Sequence, residues 1–160
     1  LREQGVEPRD RVIYTGRVKM GYRLSRIFGA TGEEECYRIC RLRYGNGIPV
    51  AFEDTYIPYG LLPNIERYSF ETSSLYQILA DHGIDIRQCK QSIGSIKLSA
   101  FLAGQLDLPV GSPAFRSCFQ TFDCDGRVVE YTIAINNPGK YVYIMDGSPT
   151  IDPVNSTPDK

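Results

Sequence analysis

Hydrophobic and polar residues alternate with a period of two along several stretches of the chain and with a helical period along others. "RVIYTGRVKM", residues 11–20, reads as a first strand, and "YRLSRIFGA" as a short helix closed by Gly29. A hairpin follows, in which strand Cys36–Tyr44 meets strand Ile48–Ile57 across "GNG", glycine-bearing turn chemistry. Pro58 and Pro63 end the strand pattern. "TSSLYQILADHGI" predicts a helix capped by Thr72 or Ser73, with Leu75, Ile78 and Leu79 on its apolar stripe and Gly83 at the C-terminal position that needs φ > 0. "IDIRQCKQSIGSI" predicts a strand and "KLSAFLAGQLD" a helix. A second hairpin, Ala114–Phe122 with Arg127–Ile135, is joined by "DCDG", and Tyr141–Met145 reads as a last short strand. Antiparallel hairpins separated by single helices give an α+β fold rather than a parallel doubly wound sheet. Residues 1–10, polar and containing Gly5 and Pro8, read as a linker. Residues 11–146 read as one domain, and the proline-bearing tail 147–160 as disordered.

Composition narrows the function classes. The 18 basic and 19 acidic residues leave a net charge of -1, so there is no general electrostatic pull toward nucleic acid or a membrane. No apolar run is long enough to span a bilayer, and no secretory leader is recognisable. The five cysteines are odd in number and form no CxxC pair, which fits reduced thiols in a cytoplasmic protein. With a single histidine, His82, no zinc site is expected, and no cofactor. The serine-hydrolase elbow, the phosphate loop and the HExxH metalloprotease motif are all missing from the sequence. His82 is explained by capping a helix C-terminus, and Cys40 by the core.

The candidate chemistry lies on strands. In "YRICRLRYGNGIP", Arg41 and Arg43 flank Leu42, so both guanidinium groups share one face of a sheet. On the next strand Asp54 and Tyr56 share a face with Phe52 and Val50. On the late strand Glu130, Thr132, Ala134 and Asn136 share another, opposite Val129, Tyr131, Ile133 and Ile135. Two readings are open. The polar residues are a solvent-facing side, with Asp54 and Glu130 pairing with the arginines. Alternatively the three polar faces converge and the arginines grip an anionic ligand, since guanidinium forks match phosphate or carboxylate bidentately.

Three segments together resemble a known family: "RICRLRYGNGIPVAFEDTYIP", "SSLYQIL" leading to "HGIDI", and "LPVGSPAFRSCFQTFDCDGRVVEYT". In this order and spacing they are similar to the effector-binding (UTRA) domain of GntR-type, HutC-like transcription regulators, over roughly residues 8–145. The resemblance implies a chorismate-lyase-like fold, an antiparallel sheet flanked by helices. It implies a homodimer that binds a small anionic effector and is not an enzyme. It also implies a winged-helix DNA-binding domain ahead of residue 1, through which alone the protein would meet DNA. Carried onto this chain, the effector-binding residues are Arg41, Arg43, Asp54, Tyr56, Glu130 and Asn136. Asp54 stands where a small hydroxyl residue is usual, and Asn136 where a tyrosine is. Those departures favour a less charged acid, or a ligand carrying an amine beside its anion. The alternative on the same fold is a chorismate pyruvate-lyase-like enzyme binding a dicarboxylate.

Overall fold

A computed structural model describes residues 8–140. Six strands form one antiparallel sheet in the order β1-β2-β3-β6-β5-β4. They are β1 (Pro8–Lys19), β2 (Glu35–Gly45), β3 (Ile48–Pro58), β4 (Ile86–Lys97), β5 (Pro113–Asp123) and β6 (Val128–Asn136). Three helices accompany them: α1 (Gly21–Phe28), α2 (Leu75–Asp81) and α3 (Ala100–Leu106). The chain is thus α+β, with four antiparallel pairings between strands consecutive in sequence and a central β3–β6 pairing that joins the two halves of the sheet.

Local chemistry accounts for most boundaries. Asn46 and Gly47 both take positive φ, 52° and 77°, the two-residue turn that matches the twist of the β2–β3 hairpin. Gly83 follows α2 with φ 74°, and His82 Nδ1 lies 2.8 Å from the Ile78 carbonyl, a capping contact. The cap of α2 is Ser74, whose hydroxyl accepts from Gln77 N, rather than Thr72 or Ser73. Ser99 plays the same part for α3. β1 starts at Pro8, three residues before Arg11, so Arg9 and Asp10 are strand residues. The expected strand Tyr141–Met145 and the tail lie outside the described residues, as does most of the expected linker.

Both sheet faces carry core. On one, Met20 and Leu24 next to and within α1 pack on Cys36 and Tyr131. On that same face Ala103 and Leu106 of α3 pack with Leu42, Phe52 and Ile135. On the other, α2 and two single-turn 3-10 segments, Tyr59–Leu61 and Ile65–Arg67, cover Tyr37, Ile39 and Ile57. The helical cover on this second face is partial, and a cavity remains beside it. Strand β4 stands apart, exposed along nearly its whole length and paired only with β5.

The β5–β6 turn is held by one carboxylate. Asp123 Oδ1 accepts from the backbone N–H of Asp125 and of Arg127, each at 2.9 Å, and Oδ2 accepts from Arg127 Nε at 2.8 Å. The Arg127 backbone N–H, ahead of its side chain, holds the Asp123 carboxyl below the usual carboxylate range. A lowered folded-state pKa means the stabilisation is fully present above the unfolded value of about 3.9 and is lost as pH falls through the folded value. Asp123→Asn should therefore melt below wild type at pH 7, and the gap should narrow as pH falls below about 4. A gap independent of pH, followed by thermal unfolding, would show that the charge is not what holds the turn.

Candidate functional site

The register of β3 against β2 decides which side chains can meet. Gly45 pairs with Ile48 and Tyr44 with Pro49, but Arg43 pairs with Ala51. Val50 is the extra residue of a β-bulge, and its carbonyl accepts the backbone N–H of Asn137. Because strand side chains alternate with period two, one inserted residue exchanges the faces of everything beyond it. Without the bulge, Phe52, Asp54 and Tyr56 would lie on the face of Arg41 and Arg43. With it, Glu53 sits opposite Arg41, and Glu53 and Thr55 take that face.

The two arginines are compensated where they stand. Arg43 Nε donates to Asp10 Oδ1 at 3.1 Å and Nη1 to Glu53 Oε1 at 3.3 Å. Arg41 Nη2 donates to Glu53 Oε2 at 3.2 Å, and Nη1 lies 3.6 Å from Asp10 Oδ2. Asp10 reaches them from β1, where it pairs directly with Arg43. Two cations and two anions thus form a closed square, and three of its side chains are about 85% buried while Arg43 is 36% exposed. Burial alone would make the Arg43 guanidinium less basic, but Glu53 and Asp10 outweigh it and its pKa is raised. The Nε of Arg41 is buried with no partner.

A cavity of about 690 Å³ opens on this square. Arg9, Asp10, Arg41, Arg43 and Glu53 form one wall, and Arg9 makes no ion pair among the described residues. Glu71 to Tyr76, the segment leading into α2, lines another part, and Glu71 Oε1 accepts the Val12 backbone N–H at 3.1 Å. A third part is polar and buried. Glu130 Oε2 accepts from Thr121 Oγ1 at 2.6 Å and from the Tyr76 hydroxyl at 3.1 Å, while Oε1 accepts from Thr132 Oγ1 at 2.5 Å. Thr55 and Thr132 hydroxyls meet at 2.8 Å and link this cluster to β3. Burial and the neighbouring Glu130 charge push the Tyr76 phenol up to about 12, so at neutral pH it stays a donor.

Of the residues named from sequence, Arg41, Arg43 and Glu130 line this one cavity although they come from β2 and β6. Asp54 and Tyr56 do not: the bulge turns them to the opposite face. There Asp54 takes a bidentate fork from Arg38, Nε to Oδ1 and Nη2 to Oδ2, both at 2.8 Å. The Tyr56 hydroxyl and the Cys40 thiol also donate to it. Burial, reinforced by Asp54, pushes Tyr56 and Cys40 each up to about 12, leaving the thiol protonated and inert. Asn136 is buried in the sheet, donates to Ser117 Oγ at 3.3 Å, and does not line the cavity.

A small hydroxyl residue does stand on the cavity face beside Asp54 in sequence, Thr55. Asp10, Glu53, Thr55, Thr121 and Tyr76 are the contributors that strand parity overlooked. One signal for Glu53 and Thr55 stands in the sequence. Pro49 near the start of a strand lacks a ladder donor and favours a bulge. Nothing local marks Asp10 or Thr121, which arrive through long-range pairing.

Comparison with known proteins agrees with this architecture. Residues 3–141 match the UTRA domain family. The chain is 23% identical over 144 residues to the HTH-type transcriptional repressor NagR of Bacillus subtilis (strain 168), covering 90% of this chain and 59% of that protein. The effector domain of PhnF from Mycobacterium smegmatis superimposes with a TM-score of 0.84 at 18% identity, covering 91% of each chain. The C-terminal domain of the histidine utilization repressor from Pseudomonas syringae pv. tomato gives 0.82 at 14% identity, covering 89% of this chain and 100% of that one. The overall fold is shared with these solved domains, and the chain belongs to the UTRA domain family of GntR-type transcription regulators.

Proposed function

We propose that the cavity is the effector site of a transcription regulator, and that its ligand is a small metabolite with an acidic group at one end and amino or hydroxyl donors at the other. One observation supports this most: arginines from β2 and a buried glutamate from β6 line a single hollow of metabolite size. The arginine wall suits a phosphate or carboxylate. The Glu130 wall, an acceptor set among hydroxyls, suits donors on the ligand. The formal charges of the lining, Arg9, Arg41 and Arg43 against Asp10, Glu53, Glu71 and Glu130, do not favour a ligand that is only anionic. In this reading binding shifts the balance between two arrangements of the full-length protein and so changes DNA binding by a domain joined ahead of residue 1.

The protein should be screened by thermal shift against sugar phosphates, amino-sugar phosphates and small carboxylates, with native mass spectrometry of the purified protein alongside. A ligand at a hundredfold excess over Kd raises apparent stability by about 2.7 kcal/mol. Arg43→Ala and Glu130→Gln should each weaken the best binder by about tenfold or more. A binder indifferent to both substitutions, or no binder in any of these classes, would contradict the proposal.

We further propose that two copies pair through β4. This long edge strand is exposed along nearly its whole length, offers unpaired backbone groups, and carries Ile93 at 42% exposure. Sedimentation velocity should show a dimer for the wild-type chain and a monomer for Ile93→Asp. A wild-type monomer, or a dimer in both, would overturn this placement.

A further inference from the structure

The square of charges leaves little room for a third anion while it stays closed. Its two arginines already face two carboxylates, and a bound phosphate would set three anions against two cations, apart from Arg9 at the rim. One carboxylate must then give way, and the fold distinguishes the two. Glu53 lies in β3, hydrogen-bonded on one side to β2 and on the other to β6. Asp10 is the third residue of β1, an edge strand paired only with β2. Opening the end of an edge strand disturbs few contacts, whereas displacing β3 disturbs the middle of the sheet. Arg41 also stands to gain from rearranging, because its Nε has no partner in the closed square.

Resting on the reading of the cavity as an anion-accepting effector site, we propose that Asp10 is a built-in competitor for the ligand's acidic group. It occupies the arginines until an anion replaces it, and its release loosens the start of β1. This makes Asp10 a residue that sets affinity and, through its place in the chain, couples occupancy to whatever segment precedes β1. The same short stretch is held a second time from the cavity wall, by Glu71 accepting the Val12 N–H. Residues 10–12 are therefore tied to the site at two points, one ionic and one through the backbone, and a ligand in the cavity touches both ties.

The test uses inorganic phosphate as the probe, titrated calorimetrically at low ionic strength into four forms of the chain. Asp10→Asn should bind phosphate about tenfold or more tightly than wild type. The gain should vanish in Asp10→Asn combined with Arg43→Ala. Asp125→Asn, which removes the same charge at an exposed turn, should leave phosphate affinity at the wild-type value. Measurable phosphate binding that is equal in wild type and Asp10→Asn would overturn the competitor role while leaving the anion site standing. Phosphate binding in none of the four forms would overturn the anion site and the competitor with it. Wild-type protein gives an independent readout that needs no variant to fold. Amide hydrogen exchange over residues 9–12 should speed up on saturation with phosphate, and unchanged or slower exchange there would overturn the release step.

Discussion

One inserted residue, Val50, governs which chemistry faces which way. A strand presents alternate side chains to opposite faces, so the bulge between Tyr44–Pro49 and Arg43–Ala51 fixes the orientation of the remaining length of β3. Its consequence on the cavity face is a carboxylate and a hydroxyl, Glu53 and Thr55, beside Arg41 and Arg43. On the far face the consequence is a second, separate polar cluster, with Asp54 clamped by Arg38 and capped by Tyr56 and Cys40. Two arginine–acid clusters thus lie back to back through one sheet, and the bulge decides which acid each receives.

The cavity follows from incomplete cover. Helix α2 is seven residues long and, with the two 3-10 turns, reaches only part of its face, so the polar residues beyond it meet one another and the hollow rather than a helix. Buried polar groups call for internal partners, and here nearly all have them, Arg41 Nε being an exception. Glu130 takes three hydroxyl donors, and the arginines take two carboxylates. In the proposed reading such a site is pre-formed, and its groups exchange existing partners for a ligand's instead of being bare until one arrives.

Much of the fold was legible in the sequence because it is written locally. The Asn46–Gly47 turn, Gly83 after α2 and the alternation of β6 each depend on a few neighbouring residues, and each is where the pattern puts it. The resemblance to UTRA domains likewise rested on motifs spaced along nearly the whole chain and is matched over residues 3–141. The site was legible only by halves. Arg41, Arg43 and Glu130 follow from parity within their own strands. Asp54 and Tyr56 share a face with Phe52, as parity within the strand gives, but that face does not converge with the arginines', because of a bulge whose one local sign is Pro49. Asp10 and Thr121 depend on pairing between distant strands, which no short window contains.

The central claim is that Glu53, and not Asp54, is the electrostatic partner of Arg43. Double-mutant cycles in stability measure this directly. Arg43→Ala with Glu53→Gln should show a coupling of about 0.5–3 kcal/mol, and Arg43→Ala with Asp54→Asn should be additive within about 0.5 kcal/mol. Coupling to Asp54 with additivity at Glu53 would place the strand in the other register and contradict the account.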